Sequence, residues 1–245
     1  MFTVLAARHT EALVSDHDLE LDGYEPPYLH PGYRSTMLRA PRLAPVRLPP
    51  EWFHRVPGPA FGRVGVRPLD ADLTRQHSGA PLGERIILSG RVLDGDGRPV
   101  RDTLVEVWQA NAAGRYADAV DDHDAPLDPN FTGAGRCRTD ADGRYRFVTV
   151  KPGAYPWQNH ENAWRPAHVH FSIFGPELAS RLVTQMYFPG DPLMRLDPIL
   201  NSIPDARGRK LLVGAFDLGS TVPGWALAYR WDIVLRGTAA TPMEA

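Results

Sequence analysis

The chain has 245 residues, of which 43% are hydrophobic and 23% are charged, and its formal net charge is −2. This composition is typical of a globular protein with a sizeable core, and the lack of a basic excess disfavours nucleic acid as a partner. No run approaches the ~20 apolar residues of a membrane span or the pattern of a secretory leader, so we expect a cytoplasmic protein without a membrane partner.

The first predicted element is a proline-rich segment. Nine prolines lie within residues 25–59, and proline fixes φ and lacks the backbone N–H, so we predict neither helix nor central strand there. Six aromatic residues lie within 24–61, whereas disordered linkers are poor in aromatic residues. We therefore predict an extended arm over residues 1–80, with one short helix at 11–21, that packs over another surface.

From residue 85 onward, short strands and tight turns follow one another. Asp/Gly turns at 94–97 and 140–143 are typical of hairpins, and strands are predicted at 86–92, 103–109, 145–148, 165–174, 182–188, 211–216 and 228–235. Residues 191–203 are predicted to be irregular or helical. This pattern favours a mainly β fold, an antiparallel β-sandwich over residues 81–240 with few short helices.

The strand at 165–174 contains two histidines separated by one residue, His168 and His170. Side chains two residues apart on a strand point to the same side, so the two imidazoles share a face, while positions 167, 169, 171 and 173 form an apolar face. Paired imidazoles suit one metal ion. Such a pair is also common among surface or core histidines, so the pattern alone nominates a site without deciding it.

Different side chains are available to complete a metal site here. Glu161 or the aspartates at 121, 122 and 124 would give a two-histidine, one-carboxylate Fe(II) centre, although these aspartates lie in a loop whose composition is typical of a solvated turn. The one cysteine, Cys137, is expected to be a small buried hydrophobe, which disfavours a structural zinc site. Tyr116 and Tyr155 are the remaining option, although tyrosines at loop edges mostly only pack.

Four ordered motifs resemble those of the intradiol ring-cleavage dioxygenases. They read LVEVWQANAAGRY at 104–116, GRYRF at 143–147, KPGAYPW at 151–157 and WRPAHVH at 164–170. The resemblance is strong over residues 81–237 and weaker over 28–50. Within the family, the chain is most similar to iron-carrying subunits that act on protocatechuate. The resemblance therefore implies cleavage of protocatechuate by O2 to 3-carboxy-cis,cis-muconate.

The resemblance implies a non-haem Fe(III) site with the ligands Tyr116, Tyr155, His168 and His170. Two phenolates and one hydroxide carry three negative charges, which neutralise Fe(III), and a bound cation favours the deprotonated tyrosine. By the same resemblance, Tyr155 leaves the metal when the catechol chelates it and acts as a base for a substrate proton.

Further roles follow from the same resemblance. Arg165 is expected to stabilise negative charge that develops during the reaction, and Gln185 matches a polar residue near the metal. Trp157 and Ile199 match positions that line the pocket for the aromatic ring, and Tyr33 in the proline-rich arm matches a tyrosine that meets the substrate.

The resemblance also implies a partner and leaves rival functions open. In the family an α-type subunit without iron ligands supplies the rest of the pocket wall, so we expect a hetero-oligomer in which this partner binds the substrate carboxylate. A catechol or hydroxyquinol 1,2-dioxygenase would share the ligands, but those enzymes carry a helical N-terminal region. A sandwich binding module without catalysis and a two-histidine Fe(II) enzyme complete the set of rivals.

Overall fold

The structure, a computed structural model, describes residues 24–43, 65–174 and 181–243. Its strands are β1 Arg85–Leu93, β2 Leu104–Trp108, β3 Ala134–Arg138, β4 Arg144–Val150, β5 Tyr155–Pro156, β6 Trp164–Arg165, β7 His168–Phe174, β8 Leu182–Tyr187, β9 Ala215–Phe216, β10 Leu227–Arg230 and β11 Ile233–Val234. The helices are α1 Arg34–Arg39, α2 Pro198–Asn201 and α3 Ala206–Leu211, with 3-10 turns at Pro68–Ala71 and Pro192–Leu196. The helix predicted at 11–21 lies outside the described residues.

The strands form two main sheets and one small one. In the five-stranded sheet, β1 pairs with β4, β10 and β11, and β9 pairs with β10. The four-stranded sheet has the order β3-β2-β7-β8 and is antiparallel throughout. The pair β5-β6 stands apart as a two-stranded ribbon.

The two main sheets enclose one hydrophobic core. Ile86, Leu88 and Phe147 from the larger sheet belong to the same buried cluster as Val107 and Phe171 from the smaller sheet. The rings of Phe147 and Phe171 meet edge to face across the interface, with centroids 6.5 Å apart. Each such side chain contributes roughly 1.5–3 kcal/mol when it is removed from water. The predicted mainly β sandwich is confirmed.

Both predicted Asp/Gly turns are present. Gly97 N–H donates to the carbonyl of Asp94 and Gly143 N–H to that of Asp140, at 3.1 and 3.0 Å. Both glycines adopt positive φ, 78° and 71°, a conformation that a residue with a Cβ adopts only at a cost.

The pairing of β1 differs from the predicted all-antiparallel arrangement. β1 runs parallel to both β10 and β11. Alternation of apolar residues fixes which face a strand buries, but it carries no information on the direction of the neighbouring strand. β10 lies between β1 and β9 and runs parallel to the first and antiparallel to the second.

The last two predicted strands were also partly wrong. The run at 211–216 contributes its first residue to α3 and only Ala215–Phe216 to a strand. The cause is local, because Asp205 accepts a hydrogen bond from Arg207 N–H at 2.7 Å and starts a helix just before the apolar run. The run at 228–235 is divided at Trp231 into β10 and β11, and Trp231 N–H donates to the carbonyl of Ser89 at 2.8 Å.

The arm contains a helix that the density of prolines argued against. Helix α1 occupies the proline-free interval between Pro31 and Pro41. The buried Thr36 fixes its first turn, since the hydroxyl donates to the carbonyls of His30 and Tyr33 at 2.8 and 2.7 Å. The prediction rested on the average proline content of residues 25–59 and overlooked this proline-free interval, which is long enough for a short helix.

Residues just before β1 are attached to the sandwich. Leu73 is fully buried in the core, and its N–H donates to the carbonyl of Val148 at 2.8 Å. The division into an arm over residues 1–80 and a catalytic domain over 81–240 stays a prediction. None of the helices in the described ranges has the length and apolar composition needed to cross a bilayer.

Candidate metal centre

Strand β7 delivers two imidazoles to one point. His168 and His170 are both buried, and their Nε2 atoms lie 3.2 Å apart. Val169, Phe171 and Ile173, on the opposite side of the strand, belong to the core cluster. The face assignment predicted from the two-residue period is confirmed.

The protonation of His168 suits metal ligation. Its Nδ1 lies 2.7 Å from the carbonyl of Pro166, and a carbonyl only accepts, so Nδ1 carries the proton and Nε2 presents a lone pair. Burial, together with the positive charge of Arg165 and the neighbouring His170, holds the pKa of His168 well below its usual range. The ring is therefore neutral, as a metal ligand requires.

Two tyrosines reach the same point from loops outside the core. Tyr116 follows β2, and its hydroxyl lies 3.2 Å from Nε2 of His170. Tyr155 begins the ribbon strand β5, and its hydroxyl lies 3.4 Å from Nε2 of His168. The two phenol rings meet edge to face with centroids 5.3 Å apart.

These spacings fit a single ion among four donors. Ligands about 2.1 Å from one ion, at right angles or slightly wider, lie roughly 3.0–3.4 Å from each other, and the neighbouring donor atoms here are 3.2–3.4 Å apart. Two phenolic oxygens and two imidazoles are donors that suit iron in its ferric state, because the oxygens are hard and become anionic.

A carboxylate does not complete the site. Across the three described ranges, no group of three or more His, Cys, Asp and Glu residues is placed to hold a metal. Asp121 accepts from the N–H groups of Tyr116 and His123, at 2.8 and 2.9 Å, and thus supports the Tyr116 loop. Glu161 is exposed. The two-histidine, one-carboxylate alternative therefore finds no third ligand here.

Arg165 lies beside the four donors and is buried, with 3% of its surface exposed. Its Nη1 is 3.1 Å from Nε2 of His168 and 3.4 Å from the hydroxyl of Tyr155. Although burial opposes its charge, Tyr187, Asp197 and Tyr155 raise its pKa well above the ordinary value. A fixed positive charge thus borders the site.

Three side chains hold the other edge of this guanidinium. Arg165 Nη2 donates to Gln185 Oε1 at 2.6 Å, to the hydroxyl of Tyr187 at 3.0 Å and to Asp197 Oδ2 at 3.0 Å. The predicted Gln185 is therefore brought to the centre through Arg165. Tyr187 and Asp197 were not identified from the sequence.

Trp157, predicted to line the ring pocket, and Tyr33, predicted to meet the substrate, lie next to each other. Their rings are 5.5 Å apart between centroids, and the guanidinium of Arg165 lies over the Trp157 ring at 5.6 Å. The buried Asn159 holds the arm in this position, because its amide donates to the carbonyl of Gly32 at 2.8 Å and accepts from Arg34 N–H at 2.9 Å.

The other residue predicted to line the ring pocket, Ile199, is buried in helix α2. Its N–H donates to Asp197 Oδ1 at 3.1 Å, so one carboxylate connects this helix to Arg165.

Signals for the missed residues were present but weak. The pair Asp197-Pro198 is a helix-start pattern, and Tyr187 shares a strand face with Gln185 by the two-residue period. For Asn159 the sequence carries no signal, since its partners lie more than a hundred residues away in the arm.

The chain also resembles known proteins along most of its length. A family profile described as "Dioxygenase" matches residues 56–237, and one described as "Protocatechuate 3,4-dioxygenase beta subunit N terminal" matches residues 25–51. The chain is 60% identical over 221 residues to the protocatechuate 3,4-dioxygenase beta chain of Burkholderia cepacia, with 89% of this chain and 93% of that protein covered.

Two more distant similarities show the breadth of the match. Over 161 residues the chain is 35% identical to the protocatechuate 3,4-dioxygenase alpha chain of Pseudomonas putida, which covers 65% of this chain and 75% of that protein. The solved structure of 3-chlorocatechol 1,2-dioxygenase from Rhodococcus opacus 1CP shares the fold with a TM-score of 0.54 and 26% identity, over 73% of this chain and 70% of that chain.

Proposed function

This chain belongs to the intradiol ring-cleavage dioxygenases, and from that premise we propose that it cleaves protocatechuate (3,4-dihydroxybenzoate) with O2. The product is 3-carboxy-cis,cis-muconate, formed in the catabolism of aromatic compounds. One observation carries the reaction class: the donor atoms of Tyr116, Tyr155, His168 and His170 converge at spacings of 3.2–3.4 Å. The assignment of protocatechuate as the substrate rests on the similarity to a beta chain named for it.

The family uses non-haem iron, and the proposal assigns it here as Fe(III) held by these four side chains. Support comes from the donor types, from their spacing and from the neutral tautomer of His168 with Nε2 free of its proton. When bound, Fe(III) supplies a Lewis acid that draws charge from a chelating catecholate and prepares it for O2.

Tyr155 is assigned as the base for a substrate proton. It stands on the two-residue strand β5, whose one partner among the described strands is β6, so its phenolic oxygen can move without disturbing either main sheet. The histidines lack this freedom, because β7 is hydrogen-bonded on both sides, to β2 and β8.

Arg165 is assigned to stabilise negative charge on the reacting ring and on oxygen. Its orientation is fixed by three acceptors on one side, while Nη1 points to the donors. Two buried donors, Arg165 Nε and Gln185 Nε2, find no acceptor within the described parts of the chain. Buried donors without partners are costly, and a bound oxygen atom within reach of either one would lower that cost.

The aromatic ring of the substrate is assigned to a pocket walled by Trp157, Ile199 and Tyr33. The adjacent rings of Tyr33 and Trp157 support this placement, since an aromatic substrate requires apolar walls. This arrangement also gives the proline-rich arm a role, because Asn159 holds it beside the ring pocket.

The enzyme works as a hetero-oligomer with an alpha-type chain, as the paired alpha and beta names of its relatives indicate. We assign the recognition of the substrate carboxylate to that partner. A cytoplasmic location is also part of the proposal, and fractionation of cells that express the chain would test it.

The sequence of the arm distinguishes protocatechuate cleavage from the two nearest alternative activities, cleavage of catechol and of hydroxyquinol. Catechol and hydroxyquinol enzymes would share the metal donors, but residues 25–51 match a segment named for the protocatechuate beta subunit. Product analysis of protocatechuate, catechol and hydroxyquinol reactions would distinguish these substrates.

The visible absorption spectrum tests the proposal. Purified protein, co-expressed with its alpha-type partner and loaded with iron, should be red-brown through charge transfer from tyrosinate to Fe(III). Anaerobic protocatechuate should change the band, and O2 should then yield 3-carboxy-cis,cis-muconate. A protein that binds iron but stays colourless would overturn the tyrosinate assignment, and a coloured protein without turnover would favour a binding module.

A further inference from the structure

Asp197 is a buried carboxylate whose two oxygens have different tasks. It is fully buried. Oδ1 accepts from Ile199 N–H at 3.1 Å and caps helix α2. Oδ2 accepts from Arg165 Nη2 at 3.0 Å and from the hydroxyl of Tyr187 at 2.9 Å. One side chain thus connects a wall of the proposed ring pocket to the cation beside the metal donors.

The carboxylate of Asp197 is stable in the interior because Arg165 and Tyr187 contact it. A buried carboxylate without a partner is strongly destabilising, and the ion pair between Arg165 and Asp197 leaves only 3% and 0% of the two side chains exposed. Tyr187 closes the arrangement, because its hydroxyl also contacts Gln185 Oε1 at 3.1 Å. The guanidinium therefore has one favourable orientation, with Nη2 in this cluster and Nη1 towards Tyr155 and His168.

We propose that Asp197 is the positioning residue of this enzyme, setting the orientation of Arg165 through Oδ2 and the placement of Ile199 through Oδ1. The inference rests on the proposed function, since it gives Arg165 a part in the reaction and Ile199 a part in substrate binding. Tyr187 supports the first task by holding Oδ2 and Nη2 together.

The two tasks can be separated by substitution. Asp197→Asn keeps an oxygen for the helix cap, because asparagine is as good an N-cap as aspartate, but it removes the charge and turns an N–H towards Nη2 of Arg165. Asp197→Ala removes both functions. Asp205→Asn is the matched control: Asp205 caps α3 and pairs with Arg207 at 2.8 Å, and it belongs to no part of the proposed site.

Three measurements on the iron-loaded complex with its partner distinguish the roles: kcat, the dissociation constant for protocatechuate in anaerobic titration, and iron content. Asp197→Asn should lower kcat at least tenfold with an unchanged dissociation constant. Asp197→Ala should lower kcat similarly and also weaken substrate binding several-fold. All variants should retain iron, and Asp205→Asn should behave as wild type.

A double-mutant cycle shows whether Asp197 acts through Arg165. On an Arg165→Gln background, Asp197→Asn should cause little further loss of kcat. Losses that multiply, or a wild-type kcat in the Asp197→Asn protein, would overturn the inference. If that variant does not fold, Tyr187→Phe replaces it in the same cycle, since it keeps both charges and removes only the bridging hydroxyl. An inactive wild-type complex would instead contradict the proposed function.

Discussion

The indole of Trp108 lies flat against the imidazole of His170, with ring centroids 4.8 Å apart and planes inclined by only 5°. The two residues are direct partners across the β2–β7 ladder, so the sheet register itself places one ring on the other. The stack therefore holds the imidazole plane of His170, a proposed iron ligand, although Trp108 itself is not a proposed ligand.

Trp108→Leu should therefore weaken iron binding about tenfold or more, the range found when groups that orient a metal ligand are removed. Competition with a chelator would measure the change. Trp164→Leu is the control, because Trp164 is 42% exposed. Equal iron affinity in both variants would show that the stack is only packing.

Tyr155→Phe removes one of the four proposed donors and the proposed base. Part of the visible charge-transfer band should disappear, and kcat should fall by about two orders of magnitude or more. Absorption spectra and product assays at equal iron content would measure both effects. Tyr229→Phe, at a buried tyrosine of strand β10, should leave the band unaltered. A Tyr155→Phe protein with the full wild-type band would remove Tyr155 from the ligand set.

Asn159→Ala should release the arm from the ring pocket. The variant loses two hydrogen bonds to the arm backbone, at Gly32 and Arg34, so Tyr33 no longer has a fixed place beside Trp157. We expect KM for protocatechuate to rise several-fold while iron content stays constant. Asn130→Ala provides the comparison, since Asn130 accepts from Gly79 N–H, outside the proline-rich segment. An unchanged KM would mean that other contacts hold the arm.

Cys137 should be inert in the folded protein. Burial raises the pKa of its thiol to about 12, so almost none is thiolate at neutral pH, and the thiolate is the reactive form. A disulfide reagent such as Ellman's reagent should label it only after denaturation. Rapid labelling of the native protein would contradict its burial.

Stability in acid should depend on Asp70. A backbone hydrogen bond from Arg67, with support from Arg136 and against the effect of burial, lowers the pKa of this carboxyl. A lowered pKa in the folded state contributes stability above the unfolded value, ~3.9, and the contribution is lost as pH falls through the folded value.

Asp70→Asn should therefore reduce the free energy of unfolding near neutral pH by roughly 1–2 kcal/mol, with the difference from wild type shrinking below about pH 4. Urea unfolding at several pH values would measure this. Asp102→Asn, at a carboxylate that is 77% exposed, should change stability by less than about 0.5 kcal/mol. A pH-independent difference at Asp70 would show that the charge is not involved.

The sequence predicted those features that depend on residues close together in the chain. The shared face of His168 and His170 and the turns at 94–97 and 140–143 follow from periods and dihedral preferences of a few residues. The family resemblance then supplied Tyr116 and Tyr155, which spacing alone left undecided.

The missed features depend on partners far along the chain. Asp197 meets Arg165 at a separation of 32 residues, and Asn159 meets Gly32 at 127. The parallel pairing of β1 likewise depends on which strand arrives beside it, and no local pattern encodes that choice.

The position of the two tyrosines outside the core has a consequence for the ancestry of such proteins. Tyr116, on a loop, and Tyr155, on the two-residue ribbon strand β5, are half-buried, whereas the sandwich is held by a separate set of apolar residues. Replacing both would remove two of the four proposed iron donors at little expense in folding. After a gene duplication, a copy that loses both tyrosines would therefore still fold and still shape the pocket, while the other copy keeps the proposed iron site.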